Sequence, residues 1–584
     1  MWLRNIFGTS KEILISDVDD LVRKRDVMES PYFNLSKKVK FNLGVTLISV
    51  ISLIVPLTFC IASDAAALVP TWGDASLIPG ITQLNVGNFS NMSFHSISCT
   101  SSGSCSAGGT YKDANGGTQG FVADQVNGVW TNAEEIPGLG SMHDGAVSVT
   151  SVSCASPGNC SAGGSYEFRG NVYGYLVNEV SGTWETAETV GIASLGPTVI
   201  DAVSCSSDGN CTAGGSYVAG LLPSNFIMDE SNGTWGVPVE VPNLSTLNFG
   251  AVGNLVLSCS TAGNCSASST YTDGSNHVQG YVASERSGVW DGAQEIPGLG
   301  VLNSGNELEV ASISCASPGN CSAGGNYYSN PIESQAFVVN QVDGTWNSAE
   351  IVPGSQQLNA GNSAVLLTLS CSTPGYCSAG GGYTLADGIT SEVFVVDEIN
   401  GTWGNAQEIP GSQSLNTAGY AVMNAISCGS PGNCSAGGDY NIGNPTESFL
   451  ADEVDGVWGH AIQVPGSLAL GVGSGANSLS CSHDNYCAAT GNIGNGTGNY
   501  FQPFVVSRYA AVPVTPIFPA VQEVSTAKLA ATGANLTLPL GLATALLGLG
   551  CLGILEAQRR RRGAQLPVRL VSVRRQETTQ NEER

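Results

Sequence analysis

The stretch SCASPGNCSAGGSY, at residues 153–166, returns almost unchanged at residues 314–327 as SCASPGNCSAGGNY. Each copy holds two cysteines that flank a five-residue segment, and this C-x5-C unit occurs eight times, with starts 51 to 57 residues apart. Repeats of roughly this length are typical of solenoids, propellers and arrays, and one unit can supply a four-stranded propeller blade. The sixteen cysteines are Cys99 and Cys105, Cys154 and Cys160, Cys205 and Cys211, Cys259 and Cys265, Cys315 and Cys321, Cys371 and Cys377, Cys428 and Cys434, and Cys481 and Cys487.

We expect these pairs to form eight disulfides, each within its own hairpin. Two residues that flank so short a turn lie opposite each other, with Cα atoms roughly 4.5–5.5 Å apart, a separation that a disulfide accepts. Metal binding is the alternative, but the spacing is not that of zinc sites and the chain has five scattered histidines. We therefore predict no metal site and no cofactor; Cys60 and Cys551 lie outside the repeats.

Each repeat predicts four strands and no long helix. In the second repeat they are SVTSVSC (strand a), CSAGGSY (strand b), YGYLVNEV (strand c) and SGTWETAETV (strand d), which mostly alternate apolar and small polar residues. Pairs such as Asn127-Gly128 and Asp343-Gly344 separate strands c and d. They favour tight hairpins, because both turn residues need a positive φ. Residues 68–510 are therefore predicted to be all-β.

Tryptophans indicate that the array closes on itself. Eight of them begin the motif W-x2-A/P-x2-I/V-P/G: Trp72, Trp130, Trp184, Trp235, Trp290, Trp346, Trp403 and Trp458. The chain begins this array with a solitary tryptophan strand, and the last cysteine repeat lacks one. A ring explains both ends, because the N-terminal strand then completes the last blade. We predict an eight-bladed β-propeller closed by N-terminal strand exchange; a β-helix and two smaller propellers are the alternatives.

An aromatic residue recurs six positions after the second cysteine, on the same strand face. Seven repeats have tyrosine there and the eighth has Ile493: the tyrosines are Tyr111, Tyr166, Tyr217, Tyr271, Tyr327, Tyr383 and Tyr440. A ring of tyrosines suggests either a ligand platform or packing between blades. Ile493 favours packing, because isoleucine cannot form hydrogen bonds through its side chain.

The N-terminal residues predict export. A basic cluster is followed by the apolar residues 43–61, and small residues at Ala65 and Ala67 supply a cleavage pattern. We interpret this region as a secretory signal with a long cytoplasmic leader. An uncleaved signal anchor and lipidation of Cys60 are the alternatives, although the bulky Phe59 disfavours lipidation.

The C-terminal residues resemble a cell-wall sorting signal. The motif LAATG is followed by an apolar span to about residue 555 and by Arg559–Arg562. The motif residues are Leu529, Ala530, Thr532 and Gly533. This order is similar to the LAxTG signals of class E sortases of actinobacteria, which implies that a sortase cleaves after Thr532 and transfers the protein to the cell wall. The 22 residues after the arginines depart from the usual short tail, and a plain single-span anchor is the alternative.

Together, these patterns predict six segments. They are a cytoplasmic leader (1–42), a signal peptide or anchor (43–67), the propeller ectodomain (68–510), a proline-containing linker (511–528), the sorting signal with a transmembrane helix (529–562) and a charged cytoplasmic tail (563–584). Lysines before the first apolar span and arginines after the second favour cytoplasmic ends. The propeller would then lie outside the cell, anchored to the wall or membrane, in agreement with the predicted disulfides.

The part predicted to be exported is strongly acidic. Of 21 lysines and arginines, eight lie in residues 1–63 and eight in residues 529–584, which leaves five against 37 of the 47 acidic residues and a net charge near −32. Nucleic-acid binding needs a basic surface and is excluded. The acidity could attract cations weakly, but Asp113, Asp273 and Asp387 are interpreted as turn residues rather than calcium ligands.

Catalytic motifs are not found in the sequence: there is no G-x-S-x-G, H-E-x-x-H or Walker loop. The G-T-W and G-V-W turns resemble the Asp-box hairpins of sialidase-type propellers, although the serine and aspartate positions are not kept. That family needs three convergent arginines, and nothing in the sequence brings Arg169, Arg286 and Arg508 together. We predict that the chain is not an enzyme; a glycan-active hydrolase with paired carboxylates is the alternative.

The repeated unit, over residues 72–509, resembles arrays found in exported actinobacterial proteins, which implies a propeller-like scaffold without a defined activity. The b–c loops differ in every repeat, as KDANGGTQ and TLADGITSE illustrate, whereas the a–b and c–d turns are nearly uniform. Variable loops on a rigid scaffold are often where recognition takes place. We expect a non-catalytic binding or adhesion module for a glycan, a wall polymer or a surface protein; a passive surface-layer scaffold is the alternative.

Changing Thr532→Ala should leave the protein extractable from membranes by detergent instead of linked to the wall, because the motif would lose the threonine side chain by which a sortase recognises it. Fractionation of cells that express either form measures the difference. A wild-type chain that already extracts fully and keeps its Arg559–Arg562 tail would contradict the sorting interpretation.

Overall fold

The structure is a computed structural model that describes residues 71–84, 92–191, 196–220, 222–443, 446–494 and 501–509. The predictions for the two termini lie outside these ranges, including cleavage near Ala65 and Ala67, the sorting motif at residues 529–533 and both membrane spans. Within the described ranges, none of the helices has the length and apolar character needed to cross a membrane.

Eight antiparallel sheets, one for each cysteine repeat, form the blades of a ring, numbered here 1 to 8 in the order of those repeats. In every blade the strand order is a, b, c, d. Strand a contacts strand a of both neighbouring blades, and the last contacts the first, so these strands surround the centre of the ring. The predicted eight-bladed β-propeller is confirmed.

The first three strands of the blades are long. Strand a is Ser93–Ser101, Val147–Ser156, Thr198–Ser207, Val256–Thr261, Leu308–Ser317, Ala364–Thr373, Ala421–Ser430 and Ser474–Cys481 in blades 1 to 8. Strand b is Ser104–Lys112, Asn159–Phe168, Asn210–Ala219, Asn264–Thr272, Asn320–Asn330, Tyr376–Thr384, Asn433–Asn441 and Cys487–Gly494. Strand c is Thr118–Val126, Asn171–Val180, Leu222–Ser231, Val278–Arg286, Glu333–Val342, Ser391–Ile399, Thr446–Val454 and Phe501–Tyr509.

Strand d differs from the prediction, because it consists of two short pieces that both pair with strand c. The first pieces are Val129–Trp130, Thr183–Trp184, Thr234–Trp235, Val289–Trp290, Thr345–Trp346, Thr402–Trp403, Val457–Trp458 and Thr71–Trp72. The second pieces are Glu134–Glu135, Glu188–Val190, Val239–Glu240, Gln294–Glu295, Glu350–Ile351, Gln407–Glu408, Ile462–Gln463 and Ser76–Leu77.

The interruption of strand d has a cause in the neighbouring blade. The alanine of the W-x2-A motif turns its amide away from strand c and donates to a proline carbonyl of the preceding blade, as Ala187 does to Pro137 at 2.9 Å. In blade 3 the alanine is replaced by Pro238, which has no amide to donate, and the acceptor proline is replaced by Gly191. The alanine and the proline of this motif are therefore explained by a hydrogen bond between neighbouring blades.

The N-terminal strand closes the ring as predicted. Thr71–Trp72 and Ser76–Leu77 both pair with Phe501–Tyr509, in the sheet that contains the last cysteine hairpin. The Trp72 indole donates to the Asp452 carboxylate of blade 7 at 3.0 Å. The first strand of the described chain thus completes the last blade and bonds to its neighbour.

A circle of serine side chains links the innermost strands. The serine before each first cysteine accepts a hydrogen bond from the backbone N–H of the first cysteine of the next blade, at 2.9–3.1 Å. The acceptor and donor pairs are Ser98 and Cys154, Ser153 and Cys205, Ser204 and Cys259, Ser258 and Cys315, Ser314 and Cys371, Ser370 and Cys428, Ser427 and Cys481, and Ser480 and Cys99. The bond from Cys99 to Ser480 joins blade 1 to blade 8, so the circle is complete.

All eight disulfides form as predicted, each within one hairpin. The bonded cysteines are direct partners in the register, as Cys154 and Cys160 are. Their Cα atoms are 3.9–4.1 Å apart, closer than expected. In the first seven blades a register shift follows the first cysteine at once, so the a–b turn tightens just beyond the bond.

The recurring tyrosines pack between blades, which confirms the packing interpretation. All seven are at least nine-tenths buried, and Ile493 is buried as well. Tyr166 of blade 2, for example, packs in one cluster with Val122, Ile136 and Leu139 of blade 1. A ligand could not reach these rings from solvent, so they are not a binding platform.

One-turn helices occupy the d–a connections. They are Ile81–Leu84, Leu139–Ser141 (a 3-10 turn), Leu244–Leu247, Leu299–Leu302, Ser355–Leu358, Ser412–Leu415 and Ser467–Leu470. The asparagine that follows several of them is buried and holds the start of strand c, as Asn303 does by donating to Val278 O at 2.8 Å. Most of these connections share the sequence pattern P-G-x3-L-N, as at residues 297–303, and this pattern is therefore explained by the scaffold.

Changing Ser480→Ala should lower the free energy of unfolding by about 1–3 kcal/mol, because the Cys99 N–H at the closing interface loses its acceptor. Urea denaturation measures the change. Ser141→Ala is the control, since this exposed hydroxyl bonds only within its own turn, to Gly138 O. Equal effects of the two substitutions would show that the serine circle does not stabilise the ring.

Candidate functional site

The two rims of the ring differ in construction. On one rim the a–b and c–d turns of a blade are bonded to each other, as where Gly182 N–H donates to Gly158 O at 2.9 Å, and this bond recurs in blades 1 to 7. We call this the uniform rim. The opposite rim carries the b–c loops and the d–a connections, and we call it the variable rim.

Aspartates on the variable rim shape its loops. Asp273 accepts hydrogen bonds from the N–H groups of Ser275 and His277, and the bond from His277 contributes most to lowering the pKa of Asp273. Asp113 and Asp387 accept equivalent backbone bonds. These are the turn residues that the sequence predicts, and no group of three metal-ligating side chains is found in the described ranges.

Large apolar side chains are exposed at the tips of the variable rim. Ile332 and Ile389, in the b–c loops of blades 5 and 6, are 82% and 85% exposed. Val301 and Phe249, in two d–a connections, are also largely exposed. Because they are exposed at loop tips, these side chains are available for contact with a ligand.

A central cavity of about 560 Å³ lies along the inner strands of blades 2 to 6. It arises at blade 4, where strand a begins only at Val256 and has six residues, fewer than in any other blade. Gly253 and Asn254 line the gap. Gly253 is the residue that fits there, because a Cβ would collide with the Thr270 hydroxyl.

Bulges in strand a supply further residues to this cavity. In every blade except blade 4 an extra residue interrupts the a–b register four positions before the first cysteine, namely His95, Thr150, Asp201, Ala311, Leu367, Asn424 and Asn477. Thr150, Asp201, Ala311 and Leu367 line the cavity. Some of these side chains also bond to the next blade, as Thr150 Oγ1 does by donating to Ile200 O at 2.7 Å.

Two carboxyl groups lie at the cavity. Burial raises the pKa of Asp201 to about 6. The N–H of Leu255 donates a hydrogen bond to this carboxylate at 3.0 Å, which lowers the pKa but by less than burial raises it. Glu309 lines the same cavity and is exposed. Carboxylates accept hydrogen bonds from hydroxyl groups and from cations. The sequence does not predict this site: Gly253 lies six residues before the first cysteine of its repeat, but Gly475 has the same position in the last repeat, where it pairs within strand a.

The three arginines considered for a sialidase-type site lie apart. Arg169 is in the b–c turn of blade 2, where its N–H donates to Asp144. Arg286 pairs with Asp291 at 3.2 Å near the opposite rim, and Arg508 is buried between blades 7 and 8. The structure gives them no common partner, so they do not form a carboxylate-binding triad.

Near the uniform rim, strand c carries the motif FVV-x-E, which is FVVDE at residues 394–398 in blade 6. Each interface between blades brings together two residues of this motif. The residue before the glutamate position in one blade faces the glutamate position of the next blade. Five interfaces hold complementary pairs: Ser507 and Gln125, Asn178 and Glu230, Ser284 and Gln341, Asn340 and Glu398, and Asp452 and Arg508. Three hold two acids: Asp124 and Glu179, Asp229 and Glu285, and Asp397 and Glu453.

The acid pairs retain protons near neutral pH. Burial first, and then the charge of Asp397, raise the pKa of Glu453 to about 8. Burial and Asp229 likewise raise the pKa of Glu285 to about 7. A carboxyl next to a second acid in a poorly solvated place favours its neutral form.

The fold and the two rims thus define an eight-bladed β-propeller protein with one disulfide in each blade. Neither a protein-family model nor a curated protein matches the sequence.

Among solved structures, the chain is similar to several proteins at low sequence identity. They include an ulvan lyase of a new polysaccharide lyase family (12% identity, TM-score 0.36, covering 68% of this chain and 96% of that chain). They also include the β-propeller domain of the Trilobed protease from Pyrococcus furiosus (8%, 0.38, 64% and 96%) and a post-proline cleaving enzyme from Rickettsia typhi (10%, 0.39, 70% and 59%). At these identities and TM-scores the activities of these proteins are not transferred to this chain. That the chain is not an enzyme stays a prediction.

Changing Glu453→Gln should make the stability of the folded protein less dependent on pH between about 5 and 8. Glu453 has a higher pKa in the folded chain than in the unfolded chain, so the folded state holds an extra proton in this window and loses stability as the pH rises through about 8. Thermal melting at several pH values measures the effect. Glu188→Gln, at an exposed position, is the control and should leave the pH dependence unchanged.

Proposed function

We propose that the chain is a non-catalytic binding module displayed on the outside of the cell. The single observation that supports this most is the difference between the rims. One rim is repeated and bonded within itself, while the other combines loops of different sequence with the central cavity.

The ligand that suits the variable rim is a glycan or a wall polymer. Exposed apolar tips such as Ile332 and Ile389 can cover the apolar faces of sugar rings, and carboxylates such as Glu309 can accept bonds from sugar hydroxyls. A rigid ring keeps these groups in place, which lowers the entropic cost of binding. A surface protein is the second ligand class that this rim would accept.

We also propose that the protein acts outside the cell. Eight disulfides favour an oxidising compartment. The signal segment at residues 43–67 and the sorting motif at residues 529–533 would deliver and anchor the chain there, with a class E-like sortase as the processing partner.

Binding can be tested with a screen of glycans and purified wall polymers against the full-length protein. Any hit should weaken at least tenfold, about 1.4 kcal/mol, when Ile332→Asp and Ile389→Asp are combined, because both tips leave the contact. The matched control is Val129→Asp combined with Val289→Asp, which places the same charges on exposed valines beside the c–d turns of the uniform rim.

The outcomes separate the alternatives. A ligand that still binds the variable-rim variant but no longer binds the control variant would show that the binding site lies on the uniform rim. A screen without hits would favour the passive scaffold. Shorter glycan products after incubation would favour the hydrolase.

A further inference from the structure

The interface between blades 7 and 8 contains a buried guanidinium group. Arg508 occupies the glutamate position of the strand c motif and is 1% exposed. Its Nη1 donates to Asp452 Oδ1 and to Ser435 Oγ, both at 2.9 Å, and its Nη2 donates to Asn485 O at 2.9 Å. Two acceptors from blade 7 and one from blade 8 thus hold this group.

The side-chain acceptors recur at the interface between blades 6 and 7, but the cation does not. Ser378 and Asp397 stand where Ser435 and Asp452 stand, and Ser378 Oγ donates to Asp397 Oδ1 at 2.7 Å, as Ser435 does to Asp452 at 2.6 Å. The position of the arginine is taken by Glu453. The interface therefore has an additional acceptor group in place of the donor.

The interface between blades 3 and 4 is built in the same way. Thr212 Oγ1 donates to Asp229 Oδ1 at 2.8 Å, and the position of the arginine is taken by Glu285. In both interfaces the glutamate is more than nine-tenths buried, and its Oε2 has no hydrogen-bond partner among the described residues, as is also true of Glu230 and Glu398 at two complementary interfaces. Glu453 and Glu285 differ from those two in facing a second carboxyl group instead of an asparagine, so the donor at these interfaces has to be a proton or an incoming cation.

Both interfaces leave room for that donor. A cleft of about 350 Å³ is lined by Asp397, Glu398, Glu453 and Asp455, and a cleft of about 160 Å³ is lined by Asp229, Glu230 and Glu285. Clefts of about 230 and 240 Å³ lie at two complementary interfaces, but an asparagine takes the place of the second carboxyl group there. The four heavy atoms of a guanidinium need roughly 120 Å³, if each takes the space of a water molecule in the liquid. Both clefts are large enough.

We propose that these two clefts bind the guanidinium groups of arginine side chains from a basic partner protein. Arginine fits because its planar group donates five hydrogen bonds and pairs with two carboxylates at once. The net charge near −32 of residues 64–528 draws such a partner towards the ring. This surface lies on the uniform rim, so the proposal goes beyond ligand binding on the variable rim.

The test uses the full-length protein and a flexible peptide that carries two arginines, with a peptide in which citrulline replaces both as the uncharged control. Calorimetry at pH 7 should show binding of the arginine peptide only. Binding should release protons, seen as a heat that depends on the buffer, because an incoming cation favours the charged form of Glu453 and Glu285.

The double variant Glu453→Gln with Glu285→Gln should weaken binding at least tenfold and abolish the proton release. The control is Glu188→Gln, which removes a carboxylate at an exposed position outside both clefts, and it should bind like the wild type. Each single glutamine variant gives a second measurement if the double variant does not fold.

Three results would overturn the proposal. They are equal binding of the citrulline peptide, unchanged binding by the glutamine variants, and no binding up to about 1 mM peptide. A partner recognised through the variable rim would still bind in each of these cases, so failure here leaves the proposed function untouched.

Discussion

The inner edge of each blade leaves backbone N–H groups without a strand partner, and the ring exists because the preceding blade supplies acceptors for them. The hydroxyl that accepts the N–H of Cys154 comes from Ser98, one repeat earlier, and the last such bond runs from Cys99 back to Ser480. A buried donor has to be paired. An open array would leave the N–H of Cys99 unpaired. The serine before each cysteine therefore holds neighbouring blades together and also favours closure of the ring.

The repeats allowed the sequence analysis to predict the large features. Cysteine spacing predicts the hairpins and their disulfides, and the displaced Trp72 strand predicts closure. Ile493 rightly indicates that the tyrosine positions serve packing. These predictions succeed because each depends on residues that are close in sequence or that recur in every blade.

The features that were missed depend on neighbours about one repeat away. The division of strand d follows from an amide such as that of Ala187 bonding to the preceding blade. The acid pairs require the knowledge that Asp397 faces Glu453 and not its own neighbour Glu398. The central cavity results from the shortened strand a of one blade, next to Gly253. A consensus of the repeats does not show a deviation that occurs in a single blade.

Closure by the Thr71–Trp72 strand also sets the order in which the protein can be completed. Each disulfide joins cysteines separated by five residues, so every hairpin can form as soon as it is synthesised. The first strand has to wait, because its partner Phe501–Tyr509 is made more than 400 residues later. Contacts between such distant segments are slow to form. A chain that is interrupted before blade 8 would consist of oxidised blades in an array that cannot close, with an exposed sheet edge that invites aggregation.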